Sequence, residues 1–301
     1  KNIQTIEVYV PVGEIGNIEK FILKKIKFAP AWYKIIDEII VNAIDQWVNY
    51  PKKVKEIKIS FDIDTGSVSV YNSGPSIGIY ETKNLNGVKM YAPQLIAAEF
   101  LSGDNLDEDG DDERITGGTN GAGLKLTNAF SDYLILTTVD TKVKKHYVQT
   151  FKDRLNVIEE PIIRKTKPSE KTSFTQIDFL PSYKVFGYKK GYVKSMYEDL
   201  EKLIITRAYQ ASGFTSAAVY YNGVEIIMPS TIDAPITESA VKKKGQKKAT
   251  LKVLKSSANT FSNFSHMFLQ YPDYGMWHAK LTSTDKSLKK FPWDVCIGIS
   301  D

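Results

Sequence analysis

Apolar residues recur at helical spacing from Tyr33 to Asn49, YKIIDEIIVNAIDQWVN, where Ile36, Ile39, Ile40, Ala43, Ile44 and Trp47 supply packing positions. The spacing predicts a helix that Pro51 ends, because proline lacks the amide a helix interior uses. Before it, residues 4–10 and 20–28 alternate apolar and polar positions as strands do. After it, 56–62 and 67–71 read as two strands of a hairpin that turns at Asp64-Thr65-Gly66. Residues 90–101 read as a helix with Pro93 near its first turn. The run GGTNGAG, 117–123, opens another helix. Strands are expected at 133–138, 147–151 and 173–180. A helix with apolar positions Val193, Met196, Leu200, Leu203, Ile204 and Ala208 is expected to end before Gly213. Residues 217–221 and 224–228 pair around Asn222-Gly223, a strong hairpin turn. Past Pro229 the text turns polar and lysine-rich to residue 262, and strand-like text resumes over 266–301. The expected organisation is one domain over 1–228, then a connection and a partial second α/β domain over 229–301.

Composition narrows the class. Across 301 residues, 42% hydrophobic and 25% charged content is that of an ordinary globular protein. No apolar run approaches the roughly 20 residues needed to span a bilayer, so no membrane partner is expected. No signal peptide is visible at the start. Cys296 is the single cysteine, which excludes an intrachain disulfide and is compatible with a reducing compartment. It and three histidines show no metal-ligand spacing. An intracellular, unsecreted protein is expected. The net charge of +5 is mildly basic, but 241–255, VKKKGQKKATLKVLK, holds seven lysines and no acid. An exposed loop and a phosphate-contacting patch both fit that run. By contrast 102–114, SGDNLDEDGDDER, is acidic with too few apolar residues to pack.

Three stretches carry candidate chemistry. On the central helix Glu38, Asn42 and Asp45 lie at i, i+4 and i+7 and share one face; a solvated stripe would give the same pattern. The second is VSVYNSGPSIGI, 68–79, a strand running into a tight loop. The third is ITGGTNGAGLKLTNAFS, 115–131. In this order and spacing the chain resembles the GHKL ATPases, and within them the ATPase region of type IIA DNA topoisomerases of the eukaryotic and large-DNA-virus kind. That resemblance implies a two-layer α/β sandwich with a mixed, mostly antiparallel sheet, followed by the start of a transducer-like α/β domain. The similarity runs from about residue 5 to 228, with a weaker trace in WDVCIGISD.

ATP and Mg²⁺ are the implied cofactors. Asn42 suits the metal, since its carboxamide oxygen is a hard neutral ligand for an ion that takes few protein ligands. Glu38 suits the general base, one turn away. Asp45 supports the site or faces solvent, and Gln46 stands where the family usually has Asn. The Asn72 carboxamide can read the adenine edge. Gly74 lets the backbone approach the base, Ser76 replaces a family glycine, and Ile77 is expected among the cofactor-binding residues. Thr175 matches a later strand threonine near the adenine. Thr119, Asn120, Gly121, Ala122 and Gly123 present backbone amides to phosphate at a helix start, and Lys125 adds a cation there. The lysine position excludes a Walker A loop, and Leu126 excludes a Rossmann fingerprint. The resemblance makes 102–114 the mobile part of an ATP lid, with Asn105 as a polar contact to ribose or phosphate.

The implied mechanism is a gate. ATP closes the lid, two copies dimerise around double-stranded DNA, and hydrolysis resets the clamp. The implied enzyme is an ATP-hydrolysing DNA topoisomerase, of which this chain reads as the ATPase fragment. Its setting is a nucleus, or a viral factory or virion if the isoleucine- and lysine-rich text is viral. Other GHKL clamps, of the mismatch-repair or chaperone type, and a DNA-binding domain built on the 241–255 lysines are the alternatives.

Overall fold

A computed structural model describes residues 3–99, 122–186, 194–227, 276–281 and 293–298. The chain opens with β1 (Gln4–Glu14) and β2 (Asn17–Phe28), an antiparallel pair turning at Ile15-Gly16. Gly16 has φ +85°, and a side chain there would meet the Glu225 carbonyl and Val224. The turn therefore needs glycine for both conformation and space. Then comes α1 (Pro30–Asn49), three residues longer at its start than apolar spacing suggests. Pro30 sits at the first helical positions, where its missing amide costs nothing, so it opens the helix rather than preceding it.

Next are β3 (Glu56–Phe61) and β4 (Val68–Ser73), then a short pair, β5 (Glu81–Lys83) and β6 (Lys89–Tyr91). The helix expected at 90–101 is α2 (Ala92–Ala98); its first residues instead pair in β6, and 100–101 lie outside the described residues. After α3 (Gly123–Ala129) come β7 (Ser131–Asp140), β8 (Lys145–Lys152), β9 (Val157–Ile158), β10 (Ile162–Lys165) and β11 (Phe174–Pro181). Periodicity missed β5, β9 and β10, which are two to four residues long and carry no full period. The helix α4 (Lys194–Phe214) runs through Gly213 rather than stopping before it. The buried Ser212 hydroxyl donates to the Ile226 carbonyl there, so tertiary contact holds the last turn despite glycine's poor propensity. β12 (Ala218–Tyr221) and β13 (Val224–Glu225) follow. The final pair is β14 (Met276–Leu281) with β15 (Trp293–Gly298).

The main sheet runs β10-β8-β7-β11-β4-β3-β12-β13, with β9 beside β8. Among the described residues its pairings are antiparallel except β12 with β3. This is the mixed, mostly antiparallel α/β sheet expected from the sequence. One face is apolar: Ile57, Ile59, Phe61, Val68, Val70, Leu134, Leu136, Ile177 and Phe179 are all buried. Helices α1, α3 and α4 contribute to the same core through residues such as Ile36, Ile40, Leu124, Ile204 and Ala208. Ile36, Ile39 and Ile40 are 0–2% exposed, and each contributes about 1.5–3 kcal/mol by burial. The core therefore sets the rotation of α1, and with it the direction of Glu38, Asn42 and Asp45. Hairpin β1–β2 lies on α4: the Gly16 amide donates to the Tyr209 hydroxyl at 3.0 Å and the Thr206 hydroxyl to the Tyr9 carbonyl at 3.2 Å.

Candidate active site

The candidate residues fall into two halves. The first is where α1 meets the start of α3. Gly123 opens α3, and a Cβ built on it would collide with Glu38 Oε2 and lie 3.2 Å from Glu38 Cδ. The Glu38 carboxylate thus rests on bare backbone at the residue that ends the glycine-rich run. Thr127 locks the two helices by donating to the Ile35 carbonyl at 2.8 Å. Asn128 does the same for α2, donating to Ala97 at 3.0 Å. Asn42, Asp45 and Gln46 are half-buried on α1. Gln46 Oε1 is buried and meets no hydrogen-bond partner among the described residues. Lys125, in the first turn of α3, is 1% exposed. Thr119, Asn120, Gly121 and Asn105 lie outside the described residues; Ala122 and Gly123 are within them.

The second half is on β4 and β11. Asn72 and Thr175 are direct cross-strand partners, and Asn72 is buried. Sequence reading put Asn72 at a strand end leading into the loop; it lies inside β4, one residue before the end. Gly74 has φ +105° and a Cβ there would meet Val54 Cγ2 at 2.8 Å. Its amide donates to the Ser173 carbonyl at 2.9 Å. Ile77 is held by backbone: its amide donates to Thr175 Oγ1 at 3.4 Å, and its carbonyl accepts from the Thr138 hydroxyl at 3.3 Å. Asn72, Gly74, Ile77 and Thr175 therefore form one constellation. The Ser73 hydroxyl closes its base by accepting from the Lys55 and Glu56 amides.

Several participants were not read from the sequence. Lys34 places Nζ 2.7 Å from Glu38 Oε1. Asp37, 9% exposed, forms an ion pair with Arg207 of α4, Nε to Oδ1 at 2.7 Å. Burial pushes the Asp37 carboxyl up, against the opposing pull of Arg207 and Lys34. Lys34 is pulled up chiefly by its hydrogen bond to Glu38. The i, i+4 spacing of Lys34 and Glu38 is visible in the text, whereas Arg207 is 170 residues from Asp37 and has no local signal.

No family model matches the chain. DNA topoisomerase 2 of Plasmodium falciparum is 34% identical over 227 residues, 73% of this chain. The enzyme of African swine fever virus is 40% identical over 201 residues, 64% of this chain. The chain spans 15% and 16% of those two proteins. The ATPase region of Saccharomyces cerevisiae topoisomerase II bound to dexrazoxane superposes with a TM-score of 0.74 at 25% identity, covering 99% of this chain and 66% of that one. The ATPase and transducer domains of Balamuthia mandrillaris topoisomerase II superpose at 0.62 with 29% identity, covering 73% of this chain and 55% of that one. Among the described residues no helix is long and apolar enough to cross a membrane. The carboxylate on a core-anchored helix, the glycine it rests against and the Asn–Thr strand pair thus sit in a fold and sequence shared with these proteins, and the chain belongs to the family of the type II DNA topoisomerase ATPase region.

Proposed function

We propose that the chain binds ATP with Mg²⁺ and hydrolyses it, as the ATP-operated gate of a type II DNA topoisomerase. The observation that carries this reading is the close approach of Glu38 to Gly123. It brings a base-capable carboxylate against the end of a glycine run suited to phosphate. Adenine is read by the Asn72 carboxamide, with Thr175 beside it and Gly74 and Ile77 shaping the loop. The donor set fits Mg²⁺: Asn42 offers a neutral oxygen one turn from Glu38, and Gln46 Oε1, buried and without a hydrogen-bond partner among the described residues, is a second neutral acceptor one turn further on. Asp45 supports this edge. When bound, the metal neutralises charge on the terminal phosphates. Glu38 takes the proton of the attacking water as its oxygen bonds to the γ-phosphorus and the bond to the ADP oxygen breaks. Lys125 supplies fixed positive charge beside the phosphates; the contacts expected from 117–121 and Asn105 lie outside the described residues.

At the scale of the assembled enzyme, the reading is that closure joins two copies around a DNA duplex and hydrolysis reopens them. Residues 1–228 form the nucleotide domain, and 229–301 lead into the next. A nucleus or a viral replication site is the expected setting.

The test is binding of a non-hydrolysable ATP analogue with and without Mg²⁺, beside the GTP analogue, for wild type and Asn42→Ala. Mg²⁺-dependent, adenine-selective binding that Asn42→Ala weakens by about tenfold or more supports the site. Equal affinity for both bases, or an Asn42→Ala variant that still gains from Mg²⁺, overturns it.

A further inference from the structure

One chain of charge around Glu38 has no role in the reading above. Lys34 lies one turn earlier on α1. Its Nζ is 2.7 Å from Glu38 Oε1 and 3.9 Å from Asp37 Oδ2. Asp37 is in turn paired with Arg207 on α4, and Arg207 Nη1 donates to Gln210 Oε1 at 3.0 Å. Charges therefore alternate from Glu38 through Lys34 and Asp37 to Arg207, and the last is anchored in a different helix. The two Glu38 oxygens have distinct surroundings: Oε1 meets the ammonium, and Oε2 faces Gly123.

We infer that Lys34 is a positioning residue for hydrolysis: its ammonium, steadied by the Asp37–Arg207 pair, fixes the Glu38 carboxylate so that Oε2 is presented to the phosphate side. The inference rests on Glu38 being the base. A free glutamate has several rotamers of similar energy, and only those with one oxygen toward the attacking water are productive. Removing Lys34 costs the fold little. Its side chain is 64% exposed, and exposed helical ion pairs contribute little to stability. Lysine placed before glutamate is also the less favourable order along a helix. The pair is thus poorly explained as a stabilising device and well placed as an orienting one.

The test is single-turnover release of labelled phosphate from ATP with the chain in excess, beside the analogue Kd and the melting temperature. Lys34→Gln slows release by about tenfold or more, with Kd and melting temperature unchanged. Lys34→Arg restores release. Asp37→Asn slows release in the same direction and adds nothing to Lys34→Gln in the double variant. Wild-type release from Lys34→Gln overturns the inference, as does a Lys34→Arg variant as slow as Lys34→Gln. Because Lys34 is exposed, these two variants decide the matter even if Asp37→Asn does not fold. Glu38→Gln separates the two levels. Release that survives in Glu38→Gln removes the base itself. Release lost in Glu38→Gln but intact in Lys34→Gln removes only the positioning role.

Discussion

Gly123 shows how one residue can hold two requirements. As the first residue of α3 it would gain from alanine, which is up to about 1 kcal/mol better in a helix. Against that, a Cβ there collides with Glu38 Oε2, the far end of a flexible side chain. The carboxylate moves rather than the backbone. Gly123→Ala is therefore expected to fold with an unchanged or slightly higher melting temperature while losing hydrolysis by about tenfold or more, since small displacements of a reacting group carry such costs. Calorimetry beside phosphate release checks both halves; a variant that hydrolyses normally would show that Glu38 works away from this glycine. Gly74 is the contrasting case. Its φ of +105° and the approach of Val54 require glycine for the loop itself.

Among elements, the connection from β10 to β11 ties the Asn72–Thr175 constellation to the sheet edge. Glu170 accepts from Arg164 Nη2 and Nη1 at 2.6 and 2.8 Å and from the Lys167 amide at 2.6 Å, and lies 2.6 Å from His146 Nδ1. Three residues on, Ser173 bonds Thr141 at 2.8 Å and its carbonyl receives the Gly74 amide. Arg164 first, then the Lys167 amide and His146, holds the Glu170 carboxyl well below the ordinary carboxylate range. A lowered pKa means the unfolded chain binds the proton more readily. The stabilisation is therefore full above the ordinary value of 4.5 and fades as pH falls below it toward the folded value. Glu170→Gln is expected to melt lower than wild type at pH 7, with the difference narrowing between about pH 5 and pH 2. A gap that stays constant over that range would refute the assignment.

For the molecule as a whole, coverage sets the expectation. The chain covers 66% and 55% of two solved ATPase regions. We propose that a lysine of the complete transducer-like domain, of which the sequence reads as holding only the start, reaches the γ-phosphate. The isolated chain is accordingly expected to bind the ATP analogue but hydrolyse ATP about tenfold or more slowly than a polypeptide that includes that domain. Steady-state ATPase assays on both check this, and equal turnover would place every catalytic group inside the present chain. The α4 helix links the opening hairpin to the central helix. It receives hairpin β1–β2 through Tyr209 and Thr206, and it reaches α1 through Arg207.

Local text determined the central helix, most strands of the sheet and the Asn222-Gly223 turn, because period and turn chemistry act within a few residues. The Glu38–Asn42–Asp45 line was legible for the same reason, since a helix converts spacing directly into a shared face. Tertiary structure alone decided that β12 joins β3 in parallel and that α4 continues through Gly213. It also decided that Asn72 stands opposite Thr175 and that Arg207 neutralises Asp37 across 170 positions. Each of these depends on which distant segment fills the space beside a residue, and packing, unlike periodicity, leaves no mark in the neighbouring sequence.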